Sequence, residues 1–129
     1  MFGTVIDPGI KPLVDAMNNS GWVITVSSCE GHDGSDPYVA FYCRADKINL
    51  LCNIMDDVEH ELFPLVVFNC CLVHDSEVHG SQRDAPAGWV ALHMQCKLSV
   101  KGQYDRPVAK HMVLGALVQR FSLWASHRR

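Results

Sequence analysis

The chain has no apolar run approaching the roughly 18 residues that a membrane-spanning helix needs. It opens on no charged-then-apolar leader either, since Met1-Phe2-Gly3 runs straight into foldable sequence. It carries no cationic excess: 11 Lys and Arg stand against 14 Asp and Glu, for a net charge of −3 with the seven His neutral. No global positive field draws nucleic acid in, and only a local patch is left for that role. Charged residues make up only 19% against 48% hydrophobic, which excludes a disordered chain. Six cysteines are present, but Cys43, Cys52, Cys70 and Cys71 sit inside apolar periodic runs, where free cysteine acts as a small hydrophobe. A reduced, cytoplasmic protein is therefore expected rather than a disulfide framework. The 129 residues form one expected domain, long enough to bury a core without staples.

Hydrophobic period and punctuation give the elements. Asp7-Pro8 reads as a helix start, followed by Ile10, Leu13, Val14 and Met17 at helical spacing. Asn18-Asn19-Ser20-Gly21 ends that helix. Residues 22–26 are aromatic and β-branched and read as a strand, and residues 38–43 as a second, joined by a long polar loop. Asp46 is placed to cap a second helix carrying Ile48, Leu51, Cys52, Met55 and Val58, stopped by Pro64. Residues 65–73 are almost all apolar, which suggests a central strand buried on both faces. Residues 89–98 read as a fourth strand, with a turn at Lys101-Gly102. Asp105 and Pro107 then open a last helix, lined by Val108, Met112, Leu117, Phe121 and Trp124 and ending in His127-Arg128-Arg129. The order α-β-β-α-β-β-α predicts an α+β domain: a four-stranded, mainly antiparallel sheet with helices packed on one face. Gly21-Trp22-Val23 and Gly88-Trp89-Val90 hint at an internal repeat.

The chemically dense segment is Ser27-Ser28-Cys29-Glu30-Gly31-His32, where a strand runs out into a loop. Two hydroxyls, a thiol, a carboxylate and an imidazole fall within six positions, and Gly31 permits a close backbone approach. Three chemistries can use it. Cys29 can be a nucleophile with His32 as its base. Cys29 and His32 can be half of a metal site, with His93 and Cys96 as the other half, although a strand would point those two to opposite faces. Or the loop can hold an anion or a nucleotide through N–H groups, hydroxyls and His32. A second polar cluster, His74, Asp75, Glu77 and His79, can bind metal or move protons, or simply be a solvated loop. His111 is expected at the rim of the core.

Residues 13–32, a helix, Asn18, a strand and then Ser27-Ser28-Cys29-x-Gly31, resemble the signature region of the tRNA wybutosine-synthesizing protein 3 family. Glu30 and His32 stand where that family carries Ser and Arg. Leu92-His93-Met94-Gln95-Cys96 is similar to the family's later Leu-His-Val segment. The resemblance implies an α/β fold of the family's own and S-adenosylmethionine-dependent methylation of a modified guanosine in tRNA. Ser27, Ser28, Cys29 and Gly31 would then belong to the ligand site, with His93 as a second wall. The leading expectation is a nucleotide-like small-ligand site in residues 27–32 facing His93. Its rival is a non-catalytic interaction protein, such as a homodimer, using Trp22, Trp89 and the last helix.

Overall fold

Residues 6–32, 34–73, 85–99 and 106–125 are described by the computed structural model. Pro12 decides where the first helix begins. A helix started at Asp7-Pro8 would put Pro12 in its interior, at a cost of about 3 kcal/mol. The chain instead turns at residues 7–10, with the Ile10 and Lys11 N–H groups each donating to the Asp7 carbonyl at 3.1 Å. Helix α1 then runs Lys11–Asn19 with Pro12 in its first turn. Asp7 is not its cap, and the carboxylate is left free for other partners.

The chain continues through β1 (Val23–Cys29), β2 (Tyr38–Arg44), a 3-10 turn (Ala45–Lys47), α2 (Ile48–Glu61), β3 (Val66–Leu72), β4 (Trp89–Leu98) and α3 (Arg106–Leu123). The strands form one sheet in the order β1-β2-β4-β3, every neighbour antiparallel. The fold is α+β in the expected element order. Val23, Val39, Phe41, Cys43, Leu92, Met94 and Cys96 point to one face and join the helices in the main core. Ala40, Tyr42 and Ala91 lie on the other face, in a second cluster with Val26, Val73, Ala85 and Trp89. Gly-Trp-Val opens β1 in the first half of the chain but β4 in the second, so the two copies are not structurally equivalent. Trp22 is sealed in the core; Trp89 belongs to the second cluster.

Several expectations are corrected. The run at 65–73 forms an edge strand, with Val67 56% and Leu72 71% exposed. An antiparallel sheet covered by helices on one side needs burial on one face only, and its central strands are β2 and β4. Asp46 does not cap α2 but pairs with Arg44 at 2.7 Å. Cys52 is exposed, and Ile54 takes the core position beside Leu51, Met55 and Val58. On α3 the buried stripe is Ala109, Val113, Leu117 and Phe121, each four residues apart, with Leu114 and Ala116 beside it. Val108, Met112 and Trp124 are exposed. The buried side packs mainly against α1 and α2, so Leu117 and Phe121 are buried as expected while the rest of the expected stripe faces outward. The rival reading loses Trp22, which stacks on Phe121 at 5.4 Å and donates its indole N–H to the Trp124 carbonyl at 3.0 Å.

Side chains from the helices plug both sheet edges. Asn18 receives the Thr25 N–H at 2.9 Å and donates to the Thr25 hydroxyl at 2.8 Å on β1. Glu59 receives the Phe68 N–H at 2.7 Å on β3. Edge strands blunted in this way resist strand addition. All six cysteines are free. Among the described residues, no helix is long and apolar enough to cross a membrane.

Candidate functional site

The polar segment at the end of β1 interlocks with the turn before α1. The Asp7 Oδ2 atom accepts the Glu30 N–H at 3.2 Å and lies 3.1 Å from His32 Nε2. In return, Glu30 Oε1 accepts the Gly9 N–H at 2.7 Å. Two carboxylates thus each cross to the other segment's backbone. The fit at Gly9 depends on its missing side chain, because a Cβ there would stand 2.7 Å from Glu30 Oε1. Gly31 is equally constrained. Its φ is +88, and a Cβ would collide with the Ser35 carbonyl. Both the left-handed conformation and the contact demand glycine. The Gly31 N–H donates to Cys29 Sγ at 3.4 Å.

The Glu30 N–H, followed by the His32 imidazole, holds the Asp7 carboxyl below its ordinary range, partly opposed by desolvation. Asp7, Cys29 and His32 converge, their donor atoms all within 4.8 Å of one another. The core cysteines are different: burial pushes the thiols of Cys43 and Cys96 up to about 12. They are inert at neutral pH.

Two grooves flank the Glu30-Gly31 corner. One, of about 270 Å³, lies between α1 and α3 and has Pro12, Leu13, Leu114 and Val118 as apolar walls, with Glu30, Lys110 and His111 among its polar groups. The other, of about 300 Å³, is lined by Gly31, Gly34, Ser35, Leu98 and Arg106. Pro107 and Lys110 line both. Lys110 stands 3.6 Å from Glu30 Oε2. Arg106 donates to Asp36 Oδ1 at 2.9 Å and to the Ser35 carbonyl at 3.1 Å, tying the loop to the start of α3.

The expected site residues divide among three places. Cys29, Glu30, Gly31 and His32 gather at Asp7. Ser27 and His93 both pair with Ala40, on the helix-free face, two strands and so roughly 10 Å apart. His93 stacks on Tyr38 there, with ring centroids 5.0 Å apart. Ser28 pairs with Val39 and points to the core side. Cys96 is buried on the opposite face from His93, so those two do not complete a metal site with Cys29 and His32. His111 is exposed and lines the first groove. His74, Asp75, Glu77, His79, Lys101, Gly102, Asp105 and residues 127–129 lie outside the described residues.

The residues not anticipated are Asp7, Gly9, Arg106 and Lys110. Pro12 was the available signal for Asp7: a proline in the true first turn releases the upstream aspartate from capping. Nothing in the sequence couples Lys110 or Arg106 to residues 30–36, because that proximity is tertiary. No protein-family model, curated protein or solved structure matches this chain.

Proposed function

We propose that this protein binds a small, nucleotide-like anionic ligand at the Glu30-Gly31 corner. The observation that carries this reading is the pair of grooves sharing Lys110 and Pro107. One offers apolar walls suited to a flat ring, and the other brings the Arg106 guanidinium beside open glycine backbone. Apolar walls with a few convergent polar groups are the usual make-up of a small-ligand site. The Ser27-Ser28-Cys29-x-Gly31 resemblance adds a modified nucleoside in RNA, with S-adenosylmethionine as cosubstrate, to the ligands worth testing. Six free thiols favour a reducing compartment such as the cytoplasm.

The test is the melting shift of metal-free protein against S-adenosylmethionine and a panel of nucleoside mono- and diphosphates. A stabilising ligand should lose most of its shift in Lys110→Ala. If no member of the panel moves the wild-type midpoint, the reading fails. Self-association is a second reading, favoured by Ile24 and Val67, 43% and 56% exposed on the helix-free face. A single monomeric species in sedimentation at two widely separated concentrations would remove it.

A further inference from the structure

The geometry points to a transition-metal site of zinc type formed by Asp7 Oδ2, Cys29 Sγ and the His32 imidazole, with the fourth position open. Three donors of different chemistry converge from two chain segments, all within 4.8 Å of one another. The Asp7–His32 contact is already 3.1 Å, near the roughly 3.3 Å edge of a tetrahedron with metal bonds of about 2.0 Å. The remaining donor distances lie within 4.8 Å, and the His32 side chain is 57% exposed, with solvent on its open side.

Three further features support a metal rather than a bare polar cluster. First, where the chain leaves β1, the Gly31 N–H points at Cys29 Sγ at 3.4 Å. A backbone N–H aimed at the sulfur fixes its orientation, as outer hydrogen bonds do for metal ligands. The chain path here depends on the +88 φ of Gly31, where no side chain fits. Second, Asp7 is itself oriented by the Glu30 N–H at 3.2 Å, as metal-ligating carboxylates usually are. Third, the Asp7 oxygen that meets His32 at 3.1 Å also lies within 4.8 Å of Cys29 Sγ, so one anion faces both other donors. A mixed sulfur, nitrogen and oxygen set selects zinc, or cobalt as its probe, over magnesium or calcium.

The experiment is a titration of untagged, chelator-stripped protein with cobalt(II), followed by zinc competition. One equivalent of cobalt should give a thiolate charge-transfer band and intense tetrahedral visible bands, both displaced by zinc. Cys29→Ala should abolish the charge-transfer band. Asp7→Asn keeps an acceptor for the Glu30 N–H but loses the anionic ligand, and should weaken cobalt binding at least about tenfold. The Cys52→Ser/Cys71→Ser variant, which removes the exposed thiols, should keep the band. Circular dichroism selects the variants that remain folded. No charge-transfer band in the wild type, a band that survives Cys29→Ala, or unchanged affinity in Asp7→Asn would each overturn the proposal. The probe is the metal alone and the groove residue Lys110 is untouched, so the result is independent of the ligand-binding reading.

Discussion

Replacing Gly9 with alanine should destabilise the native chain but stabilise a chain that lacks the Glu30 carboxylate. Gly9 donates its N–H to Glu30 Oε1 at 2.7 Å, and an alanine Cβ would stand 2.7 Å from the same oxygen. The obstructing atoms end a flexible side chain, so the carboxylate swings aside and the backbone stays. What is lost is one charge-assisted hydrogen bond, worth about 1–2 kcal/mol at this solvent-exposed position. Gly9 does not occupy the left-handed region, so alanine brings no strain and narrows the unfolded ensemble by about 0.4–1 kcal/mol. The net in the native background is a loss of roughly 0.5–1.5 kcal/mol. In Glu30→Ala only the favourable part remains, and the sign reverses. Urea unfolding followed by tryptophan fluorescence on the four proteins of the cycle measures a coupling expected near about 1–2 kcal/mol. A cycle additive to within about 0.5 kcal/mol would refute the interlock of the two segments.

Gly31→Ala should cost roughly 2–4 kcal/mol, because the left-handed φ and the clash of the new Cβ with the Ser35 carbonyl act together; an unchanged urea midpoint would contradict this. Trp22→Phe keeps the stacking on Phe121 but removes the indole donor to Trp124, and should lower stability by about 1–3 kcal/mol in the same assay. The raised thiols of Cys43 and Cys96 stay protonated in the folded state while the unfolded chain ionises, so their stabilisation is complete below about pH 9 and falls away up to about pH 12. Each contributes about 1.4 kcal/mol per pH unit to the alkaline decline, and Cys43→Ala/Cys96→Ala should flatten it in urea unfolding at pH 8 and 10. Glu59→Ala frees the Phe68 N–H on the outer edge of β3, and should cost about 1 kcal/mol and raise concentration-dependent light scattering; a variant as stable and monodisperse as wild type would show the plug to be idle.

The element order was legible because each element carries its own period and punctuation. The bounds of β4, residues 89–98, were read as they stand, since the Gly88 turn and alternating faces mark them from both sides. Errors came wherever packing rather than periodicity decides. On α3 the sequence pattern weights Val108, Met112 and Trp124 by size, but packing against α1 and α2 selects the alanine-bearing stripe. In β3 an almost wholly apolar run suits a central strand and an edge strand alike, and the strand order is a long-range fact. Density of reactive groups drew attention to residues 27–32, yet Asp7 looked like a cap because capping and clasping ask for the same residue type beside a turn.

The division of Ser27, Ser28 and Cys29 has one cause that the sequence does not reveal. Thr25 pairs with Phe41, and the next paired residue on β1 is Ser27, opposite Ala40, so Val26 is an extra residue in the ladder. Strict alternation from the core-facing Val23 would send Ser27 and Cys29 to the helix side and Ser28 away. The bulge exchanges them: Ser28 turns inward opposite Val39, Ser27 turns outward, and Cys29 stands opposite Tyr38 where the strand ends. A bulge re-aims every side chain after it, and it is invisible to any reading based on period two. The clamp by Asn18 falls on Thr25, immediately before the shift, with two hydrogen bonds that fix this residue to α1. That clamp sets the height of β1 against the helix whose preceding turn carries Asp7. The spacing from Asn18 to Thr25 to Cys29 therefore belongs to the site as much as the reactive side chains do, because it decides which of them arrives beside Asp7.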